Sequence, residues 1–279
     1  MICCVTTNDG HELIDAGDGR RLERFGARII DRPAPSTTDA PRRAGRDAWA
    51  AADLRFDREG GWTGAEQEPW TMSLDSLTLE LRPTAAGQVG FFPEHPLAWP
   101  WLREQVADRP AREVLHLFAH TGATTLALAA VGAKVTHVDA SRPAVVWARR
   151  NAELSRLADR PVRWIVDDAL TYVRREERRG RRYAGIVLDP PTFGHGPAGT
   201  RWELDDALPV LLAACAGVAE PDAFVLATAH TTSLTPADLA AAMEIAFGIP
   251  AELESGDVEL VARSGAVLPL GVAARMIRR

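Results

Sequence analysis

From residue 111 onward the chain alternates without a break between short apolar runs and stretches of helical periodicity. EVLHLF reads as a strand and GATTLALAAVG as a helix stopped at Gly132. KVTHVDA and SRPAVVWARRNAELSRL repeat the pair, with Ser141 placed to cap the helix and Pro143 in its first turn, where a missing N–H costs nothing. VRWIVDD, DALTYVRREERRG, YAGIVLD, a helix around ELDDALPVLLAACAGVA, DAFVLATA and ADLAAAMEIAFG continue the series. Strands that alternate with helices need right-handed crossovers and form a parallel sheet. The last two runs, ELVAR and VLPLGVAARM, have no helix between them and predict an antiparallel hairpin at one edge. The fold class is α/β.

Residues 1–109 have a different texture, β-rich and irregular, and are expected to form a small region ahead of a larger domain over 110–279. The chain's 279 residues suit that division, at roughly 100–200 residues per domain. HELIDAGDGRRLERFGARIIDRP holds two extended runs around Ala16-Gly17-Asp18-Gly19, a hairpin turn. Pro33 to Arg46 is rich in Pro, Ser, Thr and Ala and reads as a loop. SLTLELRP and GQVGFFPE predict a strand pair joined across Thr84-Ala85-Ala86-Gly87. Trp49, Trp62, Trp70, Trp99 and Trp101 supply rings for a small core.

Several classes of protein are excluded. With 46% apolar and 25% charged residues the chain has ample material for a core. No apolar run approaches the ~18 residues of a membrane span, and MICCVTTNDGHELIDAG lacks the layout of a secretory leader, so a cytoplasmic protein is expected. Cys3, Cys4 and Cys215 make neither a disulfide framework nor a zinc pattern, and no metal is expected. The net charge of −6 divides into −5 over residues 1–109 (13 basic, 18 acidic) and −1 over the rest (19 and 20), against a general nucleic-acid binder. Residues 142–182 hold 12 arginines against 6 acids, a pattern that reads as solvated helix faces before it reads as an RNA-facing patch.

In an open α/β sheet the ligand lies beyond the carboxyl ends of the strands. Those ends read Phe118-Ala119-His120-Thr121-Gly122, then Asp139-Ala140-Ser141, Asp167-Asp168-Ala169, and Asp189-Pro190-Pro191-Thr192-Phe193-Gly194. Three of these four ends carry a carboxylate. Gly122 lets backbone approach a ligand and opens a helix. Asp139, 17 residues later, is placed to accept from both hydroxyls of a ribose. Asp168 can accept from an adenine amino group, although an Asp there also serves as an ordinary helix cap. AHTGATT has one glycine rather than G-x-G-x-x-G, no phosphate loop is possible with Lys134 as the only lysine, and no G-x-S-x-G occurs. A cofactor with ribose and adenine but no pyrophosphate fits, which points to S-adenosylmethionine.

VLHLFAHTGATTLALAAVGAKVTHVDAS and VDDALTYVRREERRGRRYAGIVLDPPTFG resemble class I S-adenosylmethionine-dependent methyltransferases, and within them the ribosomal large-subunit RNA methyltransferases that modify cytosine or guanine. The resemblance covers about residues 77–279 and implies a Rossmann-like methyltransferase sheet. GQVGFFPEH is similar to a segment that lies over the cofactor in that family, which implies cofactor roles for Phe91, Phe92 and Glu94 beside Phe118, His120, Thr121, Gly122, Asp139, Ala140, Asp168, Ala169 and Asp189. His120 and Ala123 depart from the family's Tyr and second Gly, and residues 1–76 do not match its RNA-binding module.

Methylation at C5 of a pyrimidine needs a cysteine thiolate, and neither LATAHTTSL nor DPPTFGHG contains one. Cys215, inside LLAACAGVA, reads as core packing. Direct transfer is therefore expected, with Asp189 and the Pro190 carbonyl as acceptors from the substrate, Phe193 as a stacking ring, and His195 and His230 as candidate bases. Segments 49–101 and DPPTFGHGPAGTRW are expected to wall the acceptor pocket. The expected acceptor is a nucleobase of ribosomal RNA. A small planar metabolite is the alternative, favoured by the acidic charge, and a catalytically silent S-adenosylmethionine-binding protein is a third reading.

Overall fold

The computed structural model describes residues 2–3, 7–8, 10–107, 112–195 and 201–278. The chain opens with two short strands, β1 (Ile2–Cys3) and β2 (Thr7–Asn8), followed by β3 (His11–Gly17), β4 (Arg20–Phe25) and β5 (Arg28–Pro33). The turn between β3 and β4 is Asp18-Gly19, both at positive φ (51° and 72°), the conformation that suits the twist of a two-residue hairpin. After the 33–46 loop and helix α1 (Arg46–Ala50) come β6 (Leu54–Asp57) and β7 (Gly61–Gly64), completing a six-stranded sheet in the order β2-β3-β4-β5-β6-β7.

The hairpin that follows pairs β8 (Trp70–Leu74) with β9 (Leu77–Leu81). This corrects the expected pairing of 77–81 with 87–94. The reversal falls at Asp75, at φ 55°, where the chain leaves Leu74. Beyond Leu81, Arg82 N–H donates to Val89 O (3.2 Å) and Thr84 N–H to Gln88 O (2.9 Å), which closes a short loop. Gly90 is then drawn elsewhere: its carbonyl accepts from Thr121 Oγ1 (2.5 Å), and at φ +91° a Cβ on it would stand 2.3 Å from the Trp147 ring. Helix α2 (Trp99–Ala107) leads to the second half of the molecule.

There the expected alternation is present: β10 (Glu113–Leu117), α3 (Ala123–Ala130), β11 (Lys134–Asp139), α4 (Arg142–Leu154), β12 (Val162–Val166), α5 (Ala169–Arg178) and β13 (Tyr183–Leu188). Ser141 caps α4 by accepting from Ala144 N–H (3.3 Å). A small ladder, β14 (Phe193–His195) with β15 (Arg201–Glu203), precedes α6 (Leu204–Val218), β16 (Ala219–Ala229), α7 (Pro236–Phe247), β17 (Glu252–Val261) and β18 (Val267–Ile277). The main sheet runs β1-β17-β18-β16-β13-β10-β11-β12, parallel from β16 through β12. The closing antiparallel hairpin is present, with β18 inserted between β16 and β17 and β1 flanking β17. β13 sits at the centre and every residue of YAGIVL is buried, as a strand covered on both faces requires.

One apolar cluster fills the space between the sheet and α5–α7, around Tyr172, Leu208, Leu212 and Met243. A second runs from Phe25, Ile30 and Leu54 through Leu102 and Val106 to Val114 and Leu126, so the N-terminal strands and the main sheet share a core. Buried Asp15 ties the same regions by hydrogen bonds, accepting from Ala44 N–H (2.8 Å), Trp49 Nε1 (3.0 Å) and Ser264 Oγ (2.6 Å). These ties seat the N-terminal sheet over the carboxyl ends of the main sheet. No helix among the described residues is long and apolar enough to cross a membrane.

Candidate active site

The carboxyl ends of β10–β13 and β16 face the N-terminal sheet across a cleft of about 1780 Å³. After β10 the chain winds tightly, with Phe118, His120 and Gly122 at φ 54°, 47° and 83°. Two of these are non-glycine residues, and such strain persists only where the surroundings hold it. Asp139 supplies part of that hold, its Oδ2 accepting from His120 N–H and its Oδ1 from Ser141 N–H, both at 2.8 Å. A Cβ at Gly122 would meet the Ala148 methyl at 2.9 Å, so the first turn of α3 rests directly on α4.

Nine of the twelve residues expected at the cofactor line this cleft: Phe92, Glu94, Phe118, His120, Asp139, Ala140, Asp168, Ala169 and Asp189. The other three lie behind it. Phe91 is buried in the shared core, where its apolar ring outweighs a place at the rim. Thr121 is buried and spends its hydroxyl on Gly90 O, and Gly122 caps α3. Asp168 does cap α5, with Oδ1 accepting from Thr171 N–H (2.8 Å), and still faces the cleft. Segment 90–95 lies over the β10 loop, the Phe92 ring 5.1 Å from His120 and 5.3 Å from His95 between centroids. Glu94 Oε2 and His120 Nδ1 are buried without a hydrogen-bond partner among the described residues. Such groups are costly unless a polar ligand meets them.

Asp189, at the end of β13, is held from three sides. His95 Nε2 lies 2.9 Å from Oδ2, His230 Nε2 lies 2.9 Å from Oδ1, and Thr228 Oγ1 donates to Oδ1. Burial alone would raise the Asp189 carboxyl, but His230 and His95 hold it well below the usual carboxylate range. Burial opposes charge on His230 too, yet Asp189, then Glu94 and the Leu270 carbonyl, push it up to about 10. His230 is therefore an imidazolium at neutral pH, which corrects its expected role as a base. The His195 side chain, and residues 196–200 with Gly196 and Gly199, lie outside the described residues.

Pro190 and Phe193 also line the cleft. Trp202 Nε1 donates to Pro191 O (2.7 Å) and Thr192 Oγ1 to His230 O (2.6 Å), so the segment after Asp189 is pinned on both sides. Phe193 nonetheless keeps 70% of its surface exposed. Trp202 closes the expected DPPTFGHGPAGTRW wall, whereas sequence reasoning gave no individual role to His95, within segment 49–101, or to Thr228, which meet Asp189 from 94 and 39 residues away with no local motif. Cys215 is buried in α6 among Leu211, Leu212 and Val218, and burial pushes its thiol up to about 12.

A mostly parallel sheet with an antiparallel last pair, and a cleft with acids at three successive strand ends, defines the class of Rossmann-like methyltransferases. Comparison with known proteins narrows this. The S-adenosylmethionine-dependent methyltransferase from Agrobacterium tumefaciens is 34% identical, with a TM-score of 0.92 over 99% of this chain and 92% of that one. The chain belongs to the S-adenosylmethionine-dependent methyltransferases and is an enzyme that uses S-adenosylmethionine. SMU.776 complexed with S-adenosylhomocysteine shares the fold at 17% identity, with a TM-score of 0.76 over 94% of this chain and 72% of that one. Ribosomal RNA large subunit methyltransferase K/L from Pseudoalteromonas atlantica is 35% identical over 117 residues, and that from Methylococcus capsulatus 32% over 145. Those matches take in 41% and 52% of this chain and span 16% and 17% of the relatives' length. No family model matches the chain.

Proposed function

We propose that the enzyme methylates a nucleobase of ribosomal RNA by direct transfer, without a covalent cysteine intermediate. The observation that carries this reading is Phe193, a 70% exposed ring beside Pro190 and Asp189 on the wall of the cofactor cleft. An exposed ring on a pinned segment is a platform on which a planar base can stack. The named activity of the ribosomal RNA relatives agrees with it.

In this account Asp139 accepts from the ribose hydroxyls, since each of its oxygens has so far accepted one backbone bond and can take another. Asp168 and Ala169 receive the adenine, and Phe92, Phe118, His120 and Ala140 enclose the rest. Glu94 Oε2, orphaned in the cleft, accepts from the methionine ammonium. The cofactor supplies a methyl group already activated by its sulfonium. The chain's task is then to orient the acceptor. Phe193 stacks on it and the Pro190 carbonyl accepts from it. Asp189, with both oxygens engaged, acts as a positioning residue that fixes the wall.

Support for the cysteine-independent route among the described residues is Cys215, buried away from the cleft with burial pushing its thiol up to about 12. The test is transfer from methyl-labelled S-adenosylmethionine to purified ribosomal RNA, followed by digestion to nucleosides. Label in one nucleobase is expected. Absence of label from RNA, or a stable covalent adduct with RNA containing 5-fluoropyrimidine, would overturn the proposal.

A further inference from the structure

The cleft's far wall carries a feature that the transfer chemistry leaves unused. Arg21 on β4 and Arg32 on β5 are directly opposed partners in the antiparallel ladder, and both line the cleft. Like charges so placed destabilise a sheet unless something compensates them. Glu23, two residues along β4 and therefore on the same face, compensates in part: Arg32 Nε donates to Glu23 Oε2 (2.7 Å), and Arg21 Nε lies 3.3 Å from the same oxygen. The other oxygen faces His11 Nε2 at 3.2 Å. One carboxylate thus serves two guanidiniums and an imidazole. Burial alone would raise Glu23, but Arg21, Arg32 and His11 hold it well below the usual carboxylate range.

Donors are left over. Arg32 is 1% exposed and spends Nη1 on Gln88 Oε1 (2.5 Å), while its Nη2 is buried without a partner among the described residues. Arg21 Nε, though within 3.3 Å of Glu23 Oε2, is buried and makes no hydrogen bond among the described residues. Burial and the neighbouring Arg32 pull the Arg21 guanidinium below the ordinary arginine value, against the opposing pull of Glu23 and Glu94. Exposed Arg58 stands on the same wall. The cleft itself, at about 1780 Å³, exceeds the roughly 300–1,000 Å³ of pockets built for one small ligand. Room therefore remains for a second molecule between these arginines and the Asp189–Phe193 wall.

We infer that Arg21 and Arg32 form an oxyanion subsite for a phosphate group of the methyl acceptor. Paired planar guanidinium forks match phosphate oxygens in geometry and charge. The inference rests on the nucleic-acid reading above for its preferred source, a backbone phosphodiester next to the methylated base. A nucleoside monophosphate carries the same chemistry as a monoester.

The test uses the full chain saturated with S-adenosylhomocysteine. Inorganic phosphate is titrated and followed by calorimetry in the wild type, in Arg21→Gln, and in Arg178→Gln, an exposed arginine of α5 remote from the cleft. Saturable binding is expected that weakens at least 10-fold in Arg21→Gln and is unchanged in Arg178→Gln. A six-nucleotide single-stranded RNA and guanosine monophosphate, titrated in the same way, separate the sources, since the Arg21 effect should follow the diester. A monoester effect alone would leave the subsite standing and remove the RNA reading. To separate lost binding from misfolding of Arg21→Gln, wild-type protein is also treated with phenylglyoxal, and phosphate should slow modification of Arg21 at least 3-fold. Equal phosphate affinity in wild type and Arg21→Gln, or displacement of phosphate by S-adenosylhomocysteine, would overturn the inference. The second result would make the pair a cofactor carboxylate site.

Discussion

Replacing His230 with alanine takes away one of the two imidazoles that hold Asp189. The rise of His230 from 6.5 to about 10 sets a ceiling on the cost. About 3.5 pH units at about 1.4 kcal/mol each give about 5 kcal/mol. His230 is 27% exposed, and Asp189 retains His95 and Thr228 in the variant. Screening and the remaining partners bring the expected loss at pH 7 to about 2–3 kcal/mol, below the roughly 3–5 kcal/mol of a fully buried pair broken on one side. The folded pKa of His230 lies above its unfolded value, so the pair's contribution is complete below about pH 6.5 and is lost as pH rises through about 10. Asp189 has the opposite sign: its depressed pKa contributes stability above about pH 3.8 that is lost as pH falls through the folded value. Urea unfolding followed by tryptophan fluorescence measures both, since the chain has 8 tryptophans. The gap between wild type and His230→Ala should narrow between pH 7 and pH 10.5. A gap under about 1 kcal/mol at pH 7, or one of equal size at both pH values, would refute an ionic pair.

Three further outcomes are expected. Asp139→Ala should weaken S-adenosylmethionine binding by about 1–3 kcal/mol in calorimetry, because ribose hydroxyls lose their acceptor; unchanged affinity would remove Asp139 from the cofactor site. Phe193→Ala should lower acceptor turnover or affinity roughly 5- to 150-fold through lost stacking, with S-adenosylhomocysteine affinity nearly constant; an equal loss of both would place the ring at the cofactor. Cys215→Ala should retain transfer activity and cost about 1 kcal/mol of stability in urea unfolding, the scale of a small truncation in the core; loss of transfer by a stably folded variant would contradict the cysteine-independent route.

Local chemistry made much of this molecule readable from its sequence. The strands and helices after residue 111 follow from apolar periodicity and the Ser141 cap, and the β3–β4 hairpin from the Asp18-Gly19 turn. The acids at the strand ends were legible because parallel topology sends those ends to one rim. The Leu77–Leu81 strand shows where reading stopped: its partner was set by a turn at Asp75, while contacts of Gly90 with Thr121 and Trp147 drew the expected partner away. His95 and Asp189 are 94 residues apart, and no local spacing announces their pairing. The same holds for Gln88 and Arg32, 56 residues apart. Registers of long-range contacts depend on packing that periodicity does not encode.

Methylation of a nucleobase of ribosomal RNA is the function we propose for this enzyme. The most direct measurement is mass spectrometry of ribosomal RNA nucleosides from a strain lacking the gene, beside its parent and a complemented strain. One methylated nucleoside should be lost on deletion, return with the wild-type gene, and not return with Asp139→Ala. An unchanged nucleoside profile in the deletion strain would contradict the proposal.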